Sequence, residues 1–423
     1  MRRVLVITYY WPPAGGPGVQ RWLKFVKYLP DFGIEPIVYI PENPHYPLVD
    51  DTFLDEVPKQ VRIYKHPIIE PYGIASFFSS KKTKRISSGV IKNKDQSLLE
   101  KFMLWVRGNI FIPDARKFWV KPSVRFLSDI IDKERIETII TTGPPHSLHL
   151  IGLGLREKKN VQWIADFRDP WTSIGYHKKL KLTSSSKRKH KQLESLVLNR
   201  ADKILVTSKT TKEEFGELTS KPIKVITNGF EPKDLDEVQL DHNFTISHIG
   251  SMLTGRNPIN LWKVLGQLVK ENNEFKNAFK LNFIGIVGED VLASVHANGL
   301  KDFVEVVGYV SHSKALEYQR RSQVLLLAEI DSYETKGIIP GKLFEYMLAQ
   351  RPILGIGPQG WEVASMVADT ETGKVFDYHN HSELKNVILE WFKQYKENSL
   401  QVSSVNINTY SRRELTKKLA EYI

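Results

Sequence analysis

Residues 324–347 read VLLLAEIDSYETKGIIPGKLFEYM. The run Val324–Ala328 is short, continuous and apolar, as strands buried on both faces of a parallel sheet are. A loop from Glu329 to Ile339 follows. Pro340-Gly341 then opens a helix, whose first N–H groups have no partner within the helix. Strand, loop, helix is the unit of an α/β sheet, and the rest of the chain repeats it. In the second half the strands are expected at Phe244–Ile249, Lys280–Val287, Val304–Val307, Pro352–Ile356 and Lys374–Phe376. Helices fall between them at Pro258–Lys270, Ser313–Arg320, Gly341–Ala349 and Ser382–Lys396. In the first half the strands are Val4–Thr8, Pro36–Ile40, Val61–Tyr64, Thr138–Thr142, Val161–Asp166, Lys203–Ser208 and Lys224–Thr227. Helical segments there include Gly18–Leu29, Pro122–Asp132, Ser147–Glu157 and His190–Asn199. Two doubly wound α/β domains are the expected architecture.

The boundary is expected in the polar, aperiodic stretch after Phe230. That gives a first domain over 1–230, a linker over 231–243 and a second domain over 244–405. The segment 406–423 carries Leu415, Leu419 and Ile423 at spacings of four, a helix expected to pack back on the first domain.

A length of 423 residues is enough for two or three domains with cores of their own. The cysteine count of zero excludes disulfides, thiolate metal sites and cysteine nucleophiles. No apolar run is long enough to span a bilayer, and the start, Arg2-Arg3 and then Val4–Ile7, reads as a first strand rather than a signal peptide. A net charge of +12 points to an anionic partner. The excess is concentrated in two runs without a single acid, 79–94 and 176–191. Either these are solvated loops or they dock on an anionic membrane surface. Phe77-Phe78 and Leu98–Ile112 would supply apolar insertion beside them. No nucleic-acid-binding pattern accompanies the charge, and nucleic acid is not an expected partner.

Two loops carry candidate chemistry. Gly15-Gly16 lies in a glycine-rich turn between the first strand and the first helix, where a phosphate or sugar can approach the backbone. It is not the dinucleotide fingerprint, because position 21 is Arg21 rather than glycine. The second loop ends at Gly341, with Lys342 as a point charge for a diphosphate and Glu345, an acceptor-only carboxylate, for a vicinal diol such as a ribose.

Read in order, the residues resemble the retaining, nucleotide-sugar-dependent glycosyltransferases of family 4, which have the GT-B fold. The resemblance runs through Gly15-Gly16, Ala201-Asp202-Lys203-Ile204 with Ser208, Thr227-Asn228-Gly229, Gly308-Tyr309-Val310, Gly341–Tyr346, Arg351-Pro352, Trp361-Glu362-Val363 and Tyr410–Leu415. Pro113-Asp114, Gly143–Ser147 and Asp166–Trp171 look like a bacterial subgroup that builds surface polysaccharides. The resemblance implies two Rossmann-like domains facing across a cleft, with the nucleotide on the second and the acceptor on the first. It implies donor contacts at Gly15, Gly16, Ser251, Glu334, Gly341 and Leu343. Reaction-centre roles fall to His146, Arg256, Lys342 and Glu345, and acceptor-side roles to Asp166, Arg168 and Asp169. Two departures stand out. Gly337 occupies the place of the family's first motif glutamate, and Ser251 replaces the arginine of its phosphate pair, whose lysine is here Arg256.

The implied reaction is transfer of a sugar, with retention, from a nucleoside diphosphate to a hydroxyl of a lipid-linked saccharide. Neither a metal nor another cofactor is expected. The implied location is the cytoplasm, or peripherally on the inner face of the membrane. The alternatives are a non-catalytic nucleotide-sugar or membrane-binding protein of the same fold, favoured by Gly337 and Ser251, and a nucleotide-sugar epimerase.

Overall fold

The computed structural model describes residues 1–70, 98–178, 180–232 and 238–423. The basic run 79–94 and Phe77-Phe78 lie outside the described residues, as do 233–237 of the stretch expected to be a linker. The chain forms two compact units, one of Met1–Asn228 with Arg412–Ile423 and the other of Gly229–Ser411.

The first unit is built on seven parallel strands: β1 Arg2–Ile7, β2 Ile34–Pro41, β3 Arg62–His66, β4 Thr138–Gly143, β5 Gln162–Phe167, β6 Lys203–Val206 and β7 Ile223–Val225. Their order across the sheet is β3-β2-β1-β4-β5-β6-β7. The chain winds outward from β1 in one direction and then from β4 in the other. The loops that leave the carboxyl ends of β1 and β4 therefore diverge, and such a switch point is where open α/β sheets leave room for a ligand.

Because side chains alternate along a strand, Leu5 and Ile7 enter one core while Val4 and Val6 enter another. The first core adds Trp163, Leu127, Leu148 and Ile151. The second adds Trp22, Leu23 and Val26 from the helix Pro17–Tyr28. Leu415, Leu419 and Ile423, the four-spaced residues, are buried in that same second core by the helix Arg412–Tyr422 and the residue after it.

Six parallel strands make the second unit: β8 Phe244–Ile249, β9 Phe279–Ile284, β10 Val304–Gly308, β11 Val324–Ala328, β12 Ile353–Gly357 and β13 Gly373–Asp377. Their order is β10-β9-β8-β11-β12-β13, with the switch point between β8 and β11. The stretch 324–347 forms β11, its loop and the helix Lys342–Leu348, whose Leu343, Phe344, Tyr346 and Met347 are buried. Residues 238–243 are part of this unit's packing: Arg321 Nε is 2.6 Å from Asp241 Oδ1, and Thr245 Oγ1 donates to Asp241 Oδ2 at 2.9 Å.

Two helices begin earlier than their sequence signals suggest. The helix expected from Pro122 starts at Lys117 and runs to Glu134 with Pro122 inside it. The extra turn buries Trp119, whose ring stacks on Tyr39 at 4.9 Å, so packing outweighs the proline. The helix expected from His190 spans Ser184–Arg200, because the Thr183 side chain accepts from Ser186 N and caps it. Much of the second basic run is thus a helix face rather than a loop. Lys187, Arg188, Lys189 and Lys191 are exposed on it, while Ser186, His190, Glu194 and Val197 are buried at near-regular spacings.

Candidate functional site

At the carboxyl edge of the second sheet, Gly250 follows β8 with φ at +108°, a conformation that favours glycine. A Cβ there would lie 2.7 Å from Lys342 Nζ. The Lys342 ammonium thus sits against the backbone at the switch point. It is 3.1 Å from His248 Nε2, while His248 Nδ1 is 3.0 Å from the Leu326 carbonyl oxygen. A carbonyl only accepts, so Nδ1 carries the proton and Nε2 offers its lone pair to Lys342. Burial, and then the Lys342 charge, hold His248 well below the usual imidazole range and keep it neutral. Burial, and then the nearby Arg256 cation, bring Lys342 down to about 8 against the pull of Glu329 and Glu345.

Arg256 is not a free cation. It pairs with Glu329 through two contacts, Nε to Oε1 at 3.0 Å and Nη2 to Oε2 at 3.2 Å. The Glu329 side chain is fully buried, and that of Arg256 is about one-third exposed. A fork-to-fork pair of this kind fixes the guanidinium plane. Glu345 accepts from Gln319 Nε2 at 2.9 Å. The structure therefore brings Lys342, Arg256 and Glu345 within electrostatic reach of one another.

The remaining donor-side candidates divide. Ser251 is exposed beside Gly250. Glu334 lies in the turn Tyr333–Thr335 and accepts from Ser332 Oγ. Gly341 is already helical, with φ −56° and ψ −32°, and its helix has only two turns. Leu343 does not fit a donor-binding role: its N–H donates to the Pro340 carbonyl at 3.0 Å and its side chain is in the core.

On the first unit, Asp166 is corrected from acceptor contact to structural hub. Its carboxylate accepts from Arg21 Nη2 at 2.9 Å, Arg21 Nε at 3.3 Å, Trp22 Nε1 at 2.7 Å and Thr142 Oγ1 at 2.8 Å. Three of these bonds fall on Oδ2 and one on Oδ1, and the side chain is fully buried, so the carboxylate is closed to a substrate. Burial opposes its ionisation, but the Arg21 charge and these bonds outweigh it and hold the carboxyl below its usual range.

Arg168 is a clamp. Its N–H groups reach the carbonyls of Gly143 at 3.3 Å, Gly18 at 2.8 Å and Pro144, and so tie the loops after β1 and β4 together. Gly15 is corrected too. Its N–H donates to the Leu48 carbonyl at 2.9 Å, and a Cβ would strike the Leu48 side chain at 2.9 Å. The glycine is there for the close passage of the segment around Leu48 rather than for a ligand. Gly16 has φ at +89° and leads into the first helix. Asp169, half-buried, is raised by burial above its ordinary range.

His146 precedes the helix Ser147–Lys158 and stacks on Trp171 with ring centroids 4.9 Å apart and planes 2° from parallel. It is 4% exposed, and among the described residues neither ring nitrogen has a partner. His149 lies one turn on. Thr141 Oγ1 accepts from Trp163 Nε1 at 2.9 Å and sits 2.9 Å from His149 Nδ1, so the hydroxyl donates to that nitrogen. Burial brings His149 down to about 3 and puts His146 well below its usual range.

Both imidazoles are neutral when folded but charge in the unfolded chain near pH 6.5. The unfolded state therefore binds more protons below that pH, and stability falls as pH falls. From neutral pH to pH 5, His149 alone should cost about 2 kcal/mol. Denaturant melts over that range should lose stability more steeply for the parent than for His149→Phe; identical slopes would refute the assignment.

Sequence reasoning missed Arg21, Trp22, His248, His149 and Glu329. Glu329 had a signal, since it directly follows a five-residue apolar strand at the edge where ligands bind. His248 had one as well, a lone imidazole inside a buried strand.

With both edges described, comparison with known proteins places the architecture. The chain aligns over its whole length with solved enzymes of two-sheet architecture. A glycosyltransferase from Rickettsia africae ESF-5 matches with a TM-score of 0.57 at 12% identity, covering 100% of this chain and 97% of that one. A variant of S. aureus TarM in complex with fondaparinux, α-GlcNAc-glycerol and UDP matches with 0.57 at 12% identity, covering 100% and 99%. The fold is GT-B. A putative UDP-N-acetylglucosamine 2-epimerase from Listeria monocytogenes shares this GT-B architecture, with a TM-score of 0.53 at 14% identity, covering 99% and 94%. A family model described as Glycosyltransferase Family 4 matches residues 93–234, about one-third of the chain and all but its last few residues within the first unit. No curated protein sequence matches the chain.

Proposed function

We propose that the protein is a glycosyltransferase that moves a sugar from a nucleoside diphosphate to an acceptor hydroxyl. The observation that carries this reading is Lys342, a half-buried ammonium seated against Gly250 at the switch point of a GT-B sheet. With Arg256 it supplies preorganised positive charge for a diphosphate leaving group, which such a transfer must stabilise. Glu345 takes the diol of the nucleoside. On the first unit, His146 serves the reacting centre and Asp169 the acceptor side. We infer retention, without a metal, from the family resemblance and from cations that already fill the charge-stabilising role. The Family 4 match over residues 93–234 supports a transferase over an epimerase.

The test is a thermal-shift panel of nucleoside diphosphates and their sugars, followed by product analysis. One nucleoside diphosphate should raise the melting temperature. Glu345→Ala and His146→Ala should each lower the transfer rate. NMR of the product should show a retained anomer, and an inverted one would remove the retaining mechanism. Products formed without any acceptor would instead indicate an epimerase.

We further propose a lipid-linked acceptor of surface polysaccharide synthesis, met at the inner face of the membrane. No described helix is long and apolar enough to cross a bilayer. Phe102, Trp105, Ile110 and Phe118 are nonetheless exposed on the first unit, as are the cations of the helix Ser184–Arg200. Such a surface fits insertion beside anionic headgroups. Sedimentation with vesicles should show binding to anionic lipid that high salt removes. Equal binding to neutral lipid would refute the electrostatic part.

A further inference from the structure

In the second unit the helix His312–Arg321 lays Ala315 and Tyr318, both partly buried, on the core that holds Leu343, Phe344 and Met347. The side chain it buries completely is a glutamine, Gln319, at 2% exposure. The inner face of such a helix is ordinarily apolar, and an amide placed there costs free energy unless it is hydrogen-bonded. Methionine would fill much the same space without that cost. The glutamine is not needed to anchor the helix. At the helix end Ser322 Oγ donates to Ser247 Oγ of β8 at 2.7 Å, and Arg351 donates to the carbonyls of Ser322 at 3.0 Å and Gln323 at 3.2 Å.

What the amide does reach is Glu345. Gln319 Nε2 donates to Glu345 Oε2 at 2.9 Å. A carboxylate only accepts, so the NH2 half of the amide must face it. Among the described residues the half-buried Glu345 carboxylate accepts no other hydrogen bond. Oε1 therefore stays whole, and Oε2 keeps one acceptor position. Two neighbouring acceptor positions on one planar group match the two O–H donors of a vicinal diol.

We propose that Gln319 is a positioning residue, which holds the Glu345 carboxylate in the orientation that takes a nucleoside's diol and so sets a preference for ribose over deoxyribose. The proposal rests on the reading of Glu345 as the diol acceptor of a transferase. A glutamate side chain has three rotatable bonds, and a ligand that must freeze them loses affinity. An amide held in the core freezes them beforehand. It does so without charge: a lysine or arginine at position 319 would neutralise the carboxylate and compete with the diol for it. The local departure from an apolar helix face is thus explained by the site it serves.

The test is titration calorimetry of the full chain with ADP, GDP, CDP and UDP, each beside its 2′,3′-dideoxy form. The parent should prefer at least one ribonucleotide over its dideoxy form by about tenfold or more. Gln319→Met keeps the volume and removes the N–H. It should cut that preference about fivefold, through weaker ribonucleotide binding, and leave the dideoxy affinity within about twofold. Its melting temperature should not fall below the parent's, because the helix loses no anchor. Glu345→Ala should abolish the preference, and Gln319→Met added to Glu345→Ala should change nothing further, since the amide acts only through the carboxylate.

Equal losses for the ribo and dideoxy forms in Gln319→Met would make the glutamine a packing residue and overturn the proposal. So would additive effects in the double variant. A preference abolished by Glu345→Ala but unchanged by Gln319→Met removes this proposal alone and leaves the transferase reading standing. A preference that survives Glu345→Ala, or a parent that binds none of these nucleotides, overturns the diol reading of Glu345 and this proposal with it.

Discussion

Asp166→Ala should destabilise the first unit by about 3–5 kcal/mol, the usual cost of leaving one partner of a buried ion pair alone. Arg21 is fully buried, and its other contacts are to the carbonyls of Ile226 at 2.8 Å and Thr227 at 3.0 Å. Removing the carboxylate strands a guanidinium in the core and orphans the Trp22 indole and the Thr142 hydroxyl at the same time. Asp166→Asn keeps the shape and part of the bonding, so it should cost less. Urea melts followed by tryptophan fluorescence report directly, because Trp22 and Trp163 lie in this unit's cores. Nucleoside-diphosphate binding by the second unit should survive wherever the variant remains soluble. A loss below about 1 kcal/mol for the alanine variant would mean that the hub is not what holds β5 to the first helix.

Lys342→Ala should weaken nucleoside-diphosphate binding by about 10- to 100-fold, the range for a charge-assisted bond of about 1.5–3 kcal/mol. The pH dependence gives a sharper signature. The ammonium titrates at about 8 when the site is empty. Its charge is present below that pH and lost as pH rises through it. Affinity should therefore be flat up to about pH 7.5 and fall above pH 8, by at most about tenfold per unit. The bound anion favours the charged form, so the midpoint should shift upward in the complex. Lys342→Ala should abolish the alkaline fall along with the affinity. His248→Phe removes the lone pair that Lys342 contacts and should change the midpoint. Titration calorimetry across this pH range reads the parent and both variants. An alkaline limb that persists in Lys342→Ala would belong to another group and would displace the phosphate site.

The central strands of both sheets were readable because they are short apolar runs ended by a polar or glycine residue, and Val324–Ala328 matches its observed strand residue for residue. Loops at carboxyl edges could be picked out as candidate sites for the same reason. What each residue does there was not readable. Asp166, Arg168 and Asp169 are three charges within four positions, yet one is a fully buried hub, one a clamp and one a half-buried carboxylate raised by burial. Only the long-range partners Arg21 and Gly18 separate them, and no local pattern encodes a contact across 145 residues. Arg21 itself drew notice only as a missing glycine. The helix at 184–200 was misjudged because five lysines and arginines obscure the buried positions, while the deciding signal was one threonine hydroxyl at its start.

The first unit is interrupted in sequence by the second, and this has a consequence for synthesis. Residues 229–411 are translated before the helix Arg412–Tyr422. On the ribosome the second unit therefore has its whole sequence available while the first still shows water the patch that Leu415, Leu419 and Ile423 will cover. That patch lies on the helix Pro17–Tyr28 and the turn Leu29–Phe32, against which the C-terminal helix packs. The nascent first unit must wait through more than 180 residues of elongation, on the order of ten to forty seconds at 5–20 residues per second, with an unfinished apolar face. Chaperone demand should thus track how long this face stays open, and slowing translation late in the message should raise aggregation of the protein more than slowing it early.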